Sequence, residues 1–264
     1  MDLCDVIRQA AEIGFEGIEL ANIHDKWMDL SYRPEEVKRA AEQAGIEICA
    51  WSMWADYACE NVGYEIDRVK KEIDEAAFLG CSLVRTDICG DSNSNRFASP
   101  IITGLQELCD YCTEKGITLV TENHGRAFCF PERLDELCRL VGKPNFGLLC
   151  DFANFAAADV DVVHAMSRIS PLVRHVHMKD CHLLSGERIY PGEGWYVTSG
   201  GNYWRCAITG QGNVPLYSCL HSLRKDGYDG WLIQEFEGIE NPVYALAQGL
   251  DFTRRLQSLL VSCK

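Results

Sequence analysis

The chain has 264 residues, 47% of them hydrophobic and 10% aromatic, which is enough for a sizeable core, and no apolar run approaches the ~20 residues that a membrane span needs. A formal net charge of -14 argues against a nucleic-acid partner, because phosphate backbones need a basic face, and an acidic excess of this kind reads as solubility. Many of the 14 cysteines, among them Cys49, Cys81 and Cys150, sit inside apolar runs and read as small core residues of a reduced, cytoplasmic protein.

The start, Met1-Asp2-Leu3-Cys4-Asp5, has no basic region followed by an apolar one, so no signal peptide is expected. A helix is expected over about 2–13, capped by Asp2 and ended by Gly14. A short strand, Gly17 to Leu20, follows. Pro34 opens a second helix that Gly45 closes, and Ile46 to Trp51 reads as strand. A helix over about 64–79 ends at Gly80, before a strand from Leu83 to Asp87. A helix over about 100–115 ends at Gly116, before the apolar run that begins at Ile117. Helices over about 131–141 and 160–169 then alternate with strands Phe146 to Asp151 and Val173 to Lys179. A helix over about 214–226, a strand from Trp231 to Phe236 and a last helix over about 242–260 complete the chain.

Helix, glycine, apolar strand, polar loop is therefore a repeat of architecture, and it implies parallel βα units. Eight helices but seven strands are expected, which describes a (β/α)8 TIM barrel whose first strand is missing, the chain being cut short or the barrel open at that edge. Residues 1–264 read as one domain, with a lid-like insertion at about 181–213 that is too long for an ordinary loop and too aromatic for disorder. Cys109-x-x-Cys112 lies on an expected helix with no second pair nearby, so structural zinc is not expected there.

The chemistry gathers at strand ends. In Ile117-Thr118-Leu119-Val120-Thr121-Glu122-Asn123-His124-Gly125 a buried strand runs into a carboxylate, an amide and an imidazole. Glu122 and His124 share a face if the strand continues that far. Asp151, His177 and Glu235 end the next three strands. A lone acid at such a place usually caps a helix, but four potential ligands on successive strand ends point to one centre. Three carboxylates and one imidazole suit a divalent metal, most of all Mn2+, with Mg2+, Co2+ or Zn2+ as alternatives.

Four segments carry a resemblance: Leu149-Cys150-Asp151-Phe152-Ala153-Asn154, His175-Val176-His177-Met178-Lys179-Asp180, Gly210-Gln211-Gly212-Asn213-Val214-Pro215 and Gly230-Trp231-Leu232-Ile233-Gln234-Glu235-Phe236-Glu237. The chain resembles the xylose isomerase-like TIM-barrel superfamily and, more closely, its sugar phosphate isomerase/epimerase branch, from Asp2 to Leu260. The resemblance implies Glu122, Asp151, His177 and Glu235 as metal ligands. It also implies an isomerase or epimerase acting on a sugar or keto-sugar through an enediolate, with Glu122 and Glu235 as proton carriers. His124, if the strand continues through it, stands one step further out on the face of Glu122, where an imidazole either takes a substrate proton near pH 7 or only hydrogen-bonds the following loop. A lyase on a keto-sugar, of C-glycoside deglycosidase or sugar dehydratase type, is the alternative. Candidate substrate contacts are Arg85, Asn154, Lys179, Arg205 and Trp54, each with a structural role as its alternative: ion pairing for Arg85 and Lys179, helix capping for Asn154, core packing for Trp54 and its neighbour Trp51. Partners other than the sugar are left open as a homo-oligomer or a small second subunit.

Overall fold

The structure, a computed structural model, describes residues 2–21, 33–57, 59–89, 97–125 and 128–262. By its internal contacts the chain forms two compact units, Met1–Glu122 with Leu137–Gly147 and Asn123–Glu136 with Leu148–Lys264.

The first unit is a run of regular repeats. Helix α1 (Leu3–Ile13) begins at Asp2, whose side chain accepts the Asp5 N–H, and stops at Gly14 in the left-handed region (φ 105°). Strand β1 (Gly17–Ala21), helix α2 (Pro34–Ala44), strand β2 (Glu47–Asp56), helix α3 (Val62–Leu79), strand β3 (Leu83–Cys89), helix α4 (Ser99–Glu114) and strand β4 (Thr118–Glu122) follow. Parallel register runs Gly17 to Glu47, Ala50 to Leu83 and Leu83 to Thr118, so the strands begin close to one level. Apolar side chains such as Val69, Ile73, Leu105 and Leu108 on the helices and Val84 and Leu119 on the strands are fully buried. Cys109 and Cys112 are buried in α4, and burial pushes both thiols up to about 12.

The second half of the chain is less regular. It holds α5 (Pro131–Val141), β5 (Phe146–Asp151), α6 (Phe152–Ala157), α7 (Val162–Ile169), β6 (Val173–His177), β7 (Asp180–Leu184), β8 (Tyr196–Val197), β9 (Tyr203–Ala207), α8 (Leu216–Lys225), β10 (Leu232–Ile233) and α9 (Pro242–Ser262). Strands β5, β6 and β10 are in register so that Asp151, His177 and Ile233 stand level. That alignment places the last residues of β5 and β6, and the chain just beyond β10, at one end of the sheet.

The parallel strands follow the order β1-β2-β3-β4-β5-β6-β10, seven strands alternating with helices as expected, with β1 and β10 at its two ends among the described residues. Several boundaries differ from the sequence expectation. Strand β2 runs on to Asp56 because Trp54 and Ala55 continue the pairing with β3. Strand β4 stops at Glu122, so His124 does not share a strand face with it; the chain turns instead towards Gly125 (φ 72°). Strand β6 stops at His177, and β10 spans Leu232 and Ile233 alone rather than Trp231 to Phe236. Helix α6 was not expected; Asp151 starts it by accepting the Asn154 N–H. The lid-like segment is built as a three-stranded antiparallel sheet, β7-β9-β8, rather than as loop.

Candidate active site

Asp151 is fully buried at the end of β5. Its backbone is held by Asn123: the Asn123 Nδ2 donates to the Asp151 carbonyl at 2.8 Å, and the Asp151 N–H donates to Asn123 Oδ1 at 2.7 Å. Its side chain is held too, because Oδ1 accepts the Asn154 N–H at 2.9 Å. The Cys129 thiol closes this network, lying 3.3 Å from the Asn123 carbonyl and 3.4 Å from that of Asn154. His177, level with Asp151 on β6, has Nδ1 2.8 Å from Glu235 Oε2. Ligand atoms of Asp151, His177 and Glu235 lie within 4.8 Å of one another.

Lys179 joins the cluster. Its Nζ is 2.9 Å from Glu237 Oε2, 3.1 Å from Glu235 Oε1 and 3.7 Å from Asp151 Oδ2. The ion pairing given as the alternative role of Lys179 is thus made, with these three carboxylates. Burial pulls the Lys179 ammonium down, but the charges of Asp151, Glu235 and Glu237 outweigh it and hold the group well above the ordinary lysine range. Burial acts in the opposite sense on Glu235, and the His177 hydrogen bond and charge with the Lys179 charge hold it well below the usual carboxylate range. Both groups are therefore ionised near neutral pH.

Asp180, next in the chain, has a structural task. Its carboxylate accepts backbone N–H groups from Cys181, Gly210, Gly212 and Val214 at 2.8 to 3.1 Å. A Cβ at Gly212 would stand 2.2 Å from Asp180 Oδ1, which is why the Gly210-Gln211-Gly212 segment needs glycine there.

Glu122 is buried at the end of β4 and paired with Arg85 Nη1 at 2.5 Å; Arg85 also reaches Asp87 at 3.3 Å. Trp54, on β2, is 52% exposed, whereas Trp51 is 1% exposed and donates its indole N–H to Glu72. Trp51 is therefore core, not a wall for a sugar ring. His124 is exposed just beyond β4. His175 is buried with its ring 5.9 Å from that of His177. Arg205, on β9 opposite His182, lies over the Trp195 ring at 5.3 Å and 3.7 Å from Glu240. The sequence reading noted Asn123 only as the amide between Glu122 and His124, without a role, and passed over Cys129. The signal for Asn123 was its place between two residues already singled out, an amide where the strand ladder ends.

The donor chemistry fits a divalent cation. A buried carboxylate, Asp151, a partly buried one, Glu235, and a buried imidazole make a mixed oxygen and nitrogen set of the kind that first-row divalent ions and Mg2+ accept.

Comparison with known proteins bears on the fold and the family. Inosose dehydratase of Geobacillus thermodenitrificans is 23% identical over 264 residues, covering 91% of this chain and 85% of that protein. The crystal structure of a xylose isomerase domain protein from Planctomyces limnophilus superposes with a TM-score of 0.79 at 18% identity, over 97% of this chain and 94% of that one. A probable 3-DHS dehydratase involved in petrobactin synthesis in Bacillus anthracis superposes with a TM-score of 0.74 at 19% identity, over 96% and 94% of the two chains. A family model described as xylose isomerase-like TIM barrel matches residues 7–256. With its seven parallel strands alternating with helices, the chain belongs to the xylose isomerase-like TIM-barrel family.

Proposed function

We propose that this protein is a divalent-metal-dependent enzyme that removes the proton beside the carbonyl of a keto-sugar or keto-polyol, with Glu122, Asp151, His177 and Glu235 holding the metal. The observation that carries this reading is the group of Asp151, His177 and Glu235 with ligand atoms within 4.8 Å. Three carboxylates, Asp151, Glu235 and Glu237, face one ammonium there, and that negative excess favours a cation. Glu122, a buried carboxylate at the end of β4, is the fourth proposed ligand. Mn2+ suits the set best, and Mg2+, Co2+ or Zn2+ could take its place.

A divalent ion held there supplies Lewis-acid polarisation of a carbonyl and a neighbouring hydroxyl. The remaining work falls to the residues. Glu122 and Glu235 move the proton, with His124 as a further base whose exposed position leaves it reachable by solvent. The Lys179 ammonium offers hydrogen bonds to the oxygen that gains charge or departs. Arg85, Asn154, Arg205 and Trp54 bind the rest of the substrate. The free cysteines, most of them buried, suit the reducing cytoplasm.

Once the proton has left, loss of the hydroxyl one carbon further gives dehydration. The inosose dehydratase relative and the charged Lys179 favour that course for an inosose or a similar keto-polyol. Return of the proton elsewhere gives isomerisation or epimerisation, and the pair of carboxylates Glu122 and Glu235 favours that second reading. Incubating inosose and keto-sugars with the Mn2+ enzyme in D2O separates the two. Dehydration gives a conjugated enone seen by ultraviolet absorbance, epimerisation gives solvent deuterium at carbon without it, and neither signal from any keto-sugar would reject the proposal.

A further inference from the structure

The sheet β7-β9-β8 has two unlike faces. Side chains alternate along a strand, and residues paired across strands share a face. Tyr203 and Arg205 on β9 therefore lie with Leu184 and His182 on β7 and Val197 on β8. That face is packed by its own loop: Tyr190 meets Tyr203 edge-on with centroids 5.6 Å apart, and Trp195 lies under Arg205 and beside His182.

The opposite face carries Cys181 and Cys206, then Leu183 and Trp204, then Tyr196. Its inner end touches the charged cluster, because the Glu237 N–H donates to Cys206 Sγ at 3.2 Å and Glu237 holds Lys179. Cys181 and Cys206 are buried there. Two residues further along β9, about 7 Å at strand spacing, Trp204 stands beside Tyr196, ring centroids 5.4 Å apart and tilted by 35°. Tyr196 is 59% exposed. One sheet face thus leads from the Glu237 backbone to an accessible pair of rings.

We propose that Trp204 and Tyr196 form a second ring-binding subsite, which takes a further sugar ring joined to the keto-polyol ring that reacts at the Asp151–His177–Glu235 cluster. This rests on the reading of that cluster as the reacting centre. The chemistry suits a neutral sugar: C–H faces pack on aromatic rings, and the half-exposed Glu237 carboxylate accepts hydroxyl hydrogen bonds at the inner boundary. The rings stand two β9 residues beyond Cys206, which touches the Glu237 backbone, and the second ring of a two-ring substrate is the part proposed to reach them.

The test is calorimetric titration of the metal-loaded protein with glucose and with cellobiose. Cellobiose is expected to bind about tenfold tighter, the size of one good stacking contact. Tyr196→Ala and Trp204→Ala should bring cellobiose to the glucose value, and Trp204→Tyr should restore the preference. Tyr196, being exposed, can be removed without disturbing the fold. Asp151→Asn, which disables the proposed metal centre, should keep the cellobiose preference, so a failure of that centre is told apart from a failure of the subsite. Equal affinity for the two sugars, no binding of either, or a preference that survives Tyr196→Ala and Trp204→Ala would overturn the subsite.

Discussion

Two charge clusters, one in each unit, are built on different plans. In the first unit Arg68 on α3 binds Glu65 through Nε at 2.9 Å and Nη2 at 2.8 Å, binds Glu72, and donates to the Trp54 carbonyl. The carboxylates have neutral donors as well, the Asp56 N–H on Glu65 and the Trp51 indole on Glu72. In the second unit three carboxylates face the single ammonium of Lys179, and the His177 imidazole meets one of them, Glu235. The first cluster closes on itself and ties a helix to a strand. The second gathers carboxylates and an imidazole, the donor types that bind divalent metals, at the ends of adjoining strands. A set that ties one helix to its strand serves the fold, and one that collects metal-type donors at strand ends serves a ligand.

Substitutions sharpen that contrast. His177→Ala removes an imidazole from the second cluster and should cut turnover by at least about 10²–10³-fold, measured as initial rate on the substrate identified in D2O, with little change in circular dichroism. Asn123→Ala leaves every proposed ligand in place but frees the Asp151 backbone. It should weaken metal affinity about 10–100-fold, read by competition with a chelator, and retained affinity would mean that Asn123 acts on stability alone. Arg68→Met in the first cluster should cost about 3 kcal/mol of stability by stranding Glu72, read by urea unfolding, while metal content stays that of the wild type. A loss of metal in Arg68→Met would erase the distinction between the clusters.

The smallest effect is in pH. The Arg68 hydrogen bond, helped by the Asp56 N–H, holds the Glu65 carboxyl below its ordinary value although burial opposes it. A depressed carboxyl contributes stability above its unfolded value of about 4.3 and loses it as pH falls through the folded value. Melting temperature should therefore drop more for the wild type than for Arg68→Met between pH 6 and pH 3.5 (values chosen about that midpoint).

The repeat was legible in the sequence because each helix of the first unit stops at or beside a glycine that then leads into an apolar strand, and Gly14, Gly45, Gly80 and Gly116 all hold positive φ. The strand-end residues were legible for the same reason, since Asp151 and His177 close apolar runs. The second half was harder. Strand β10 has two residues because Trp231 and Gln234, though β-prone or adjoining, do not pair. The antiparallel sheet was hidden because β8 and β9 are short and separated by Ser199-Gly200-Gly201, a turn that the Asp159 carboxylate holds through Gly200 N–H and Asn202 Nδ2 from 41 and 43 residues away. The Asn123 clamp is likewise a contact across 28 residues, which no local pattern announces.

The central claim is that Asp151, His177 and Glu235 belong to a divalent-metal centre. It is tested most directly by elemental analysis of wild type and Asp151→Asn after loading with Mn2+ and desalting. Asparagine is as good a helix cap as aspartate, so α6 and the fold should survive the change. The account predicts about one equivalent of metal per chain in the wild type and little or none in Asp151→Asn. Full occupancy in the variant, or an empty wild type with Mn2+, Mg2+, Co2+ and Zn2+ alike, would contradict it.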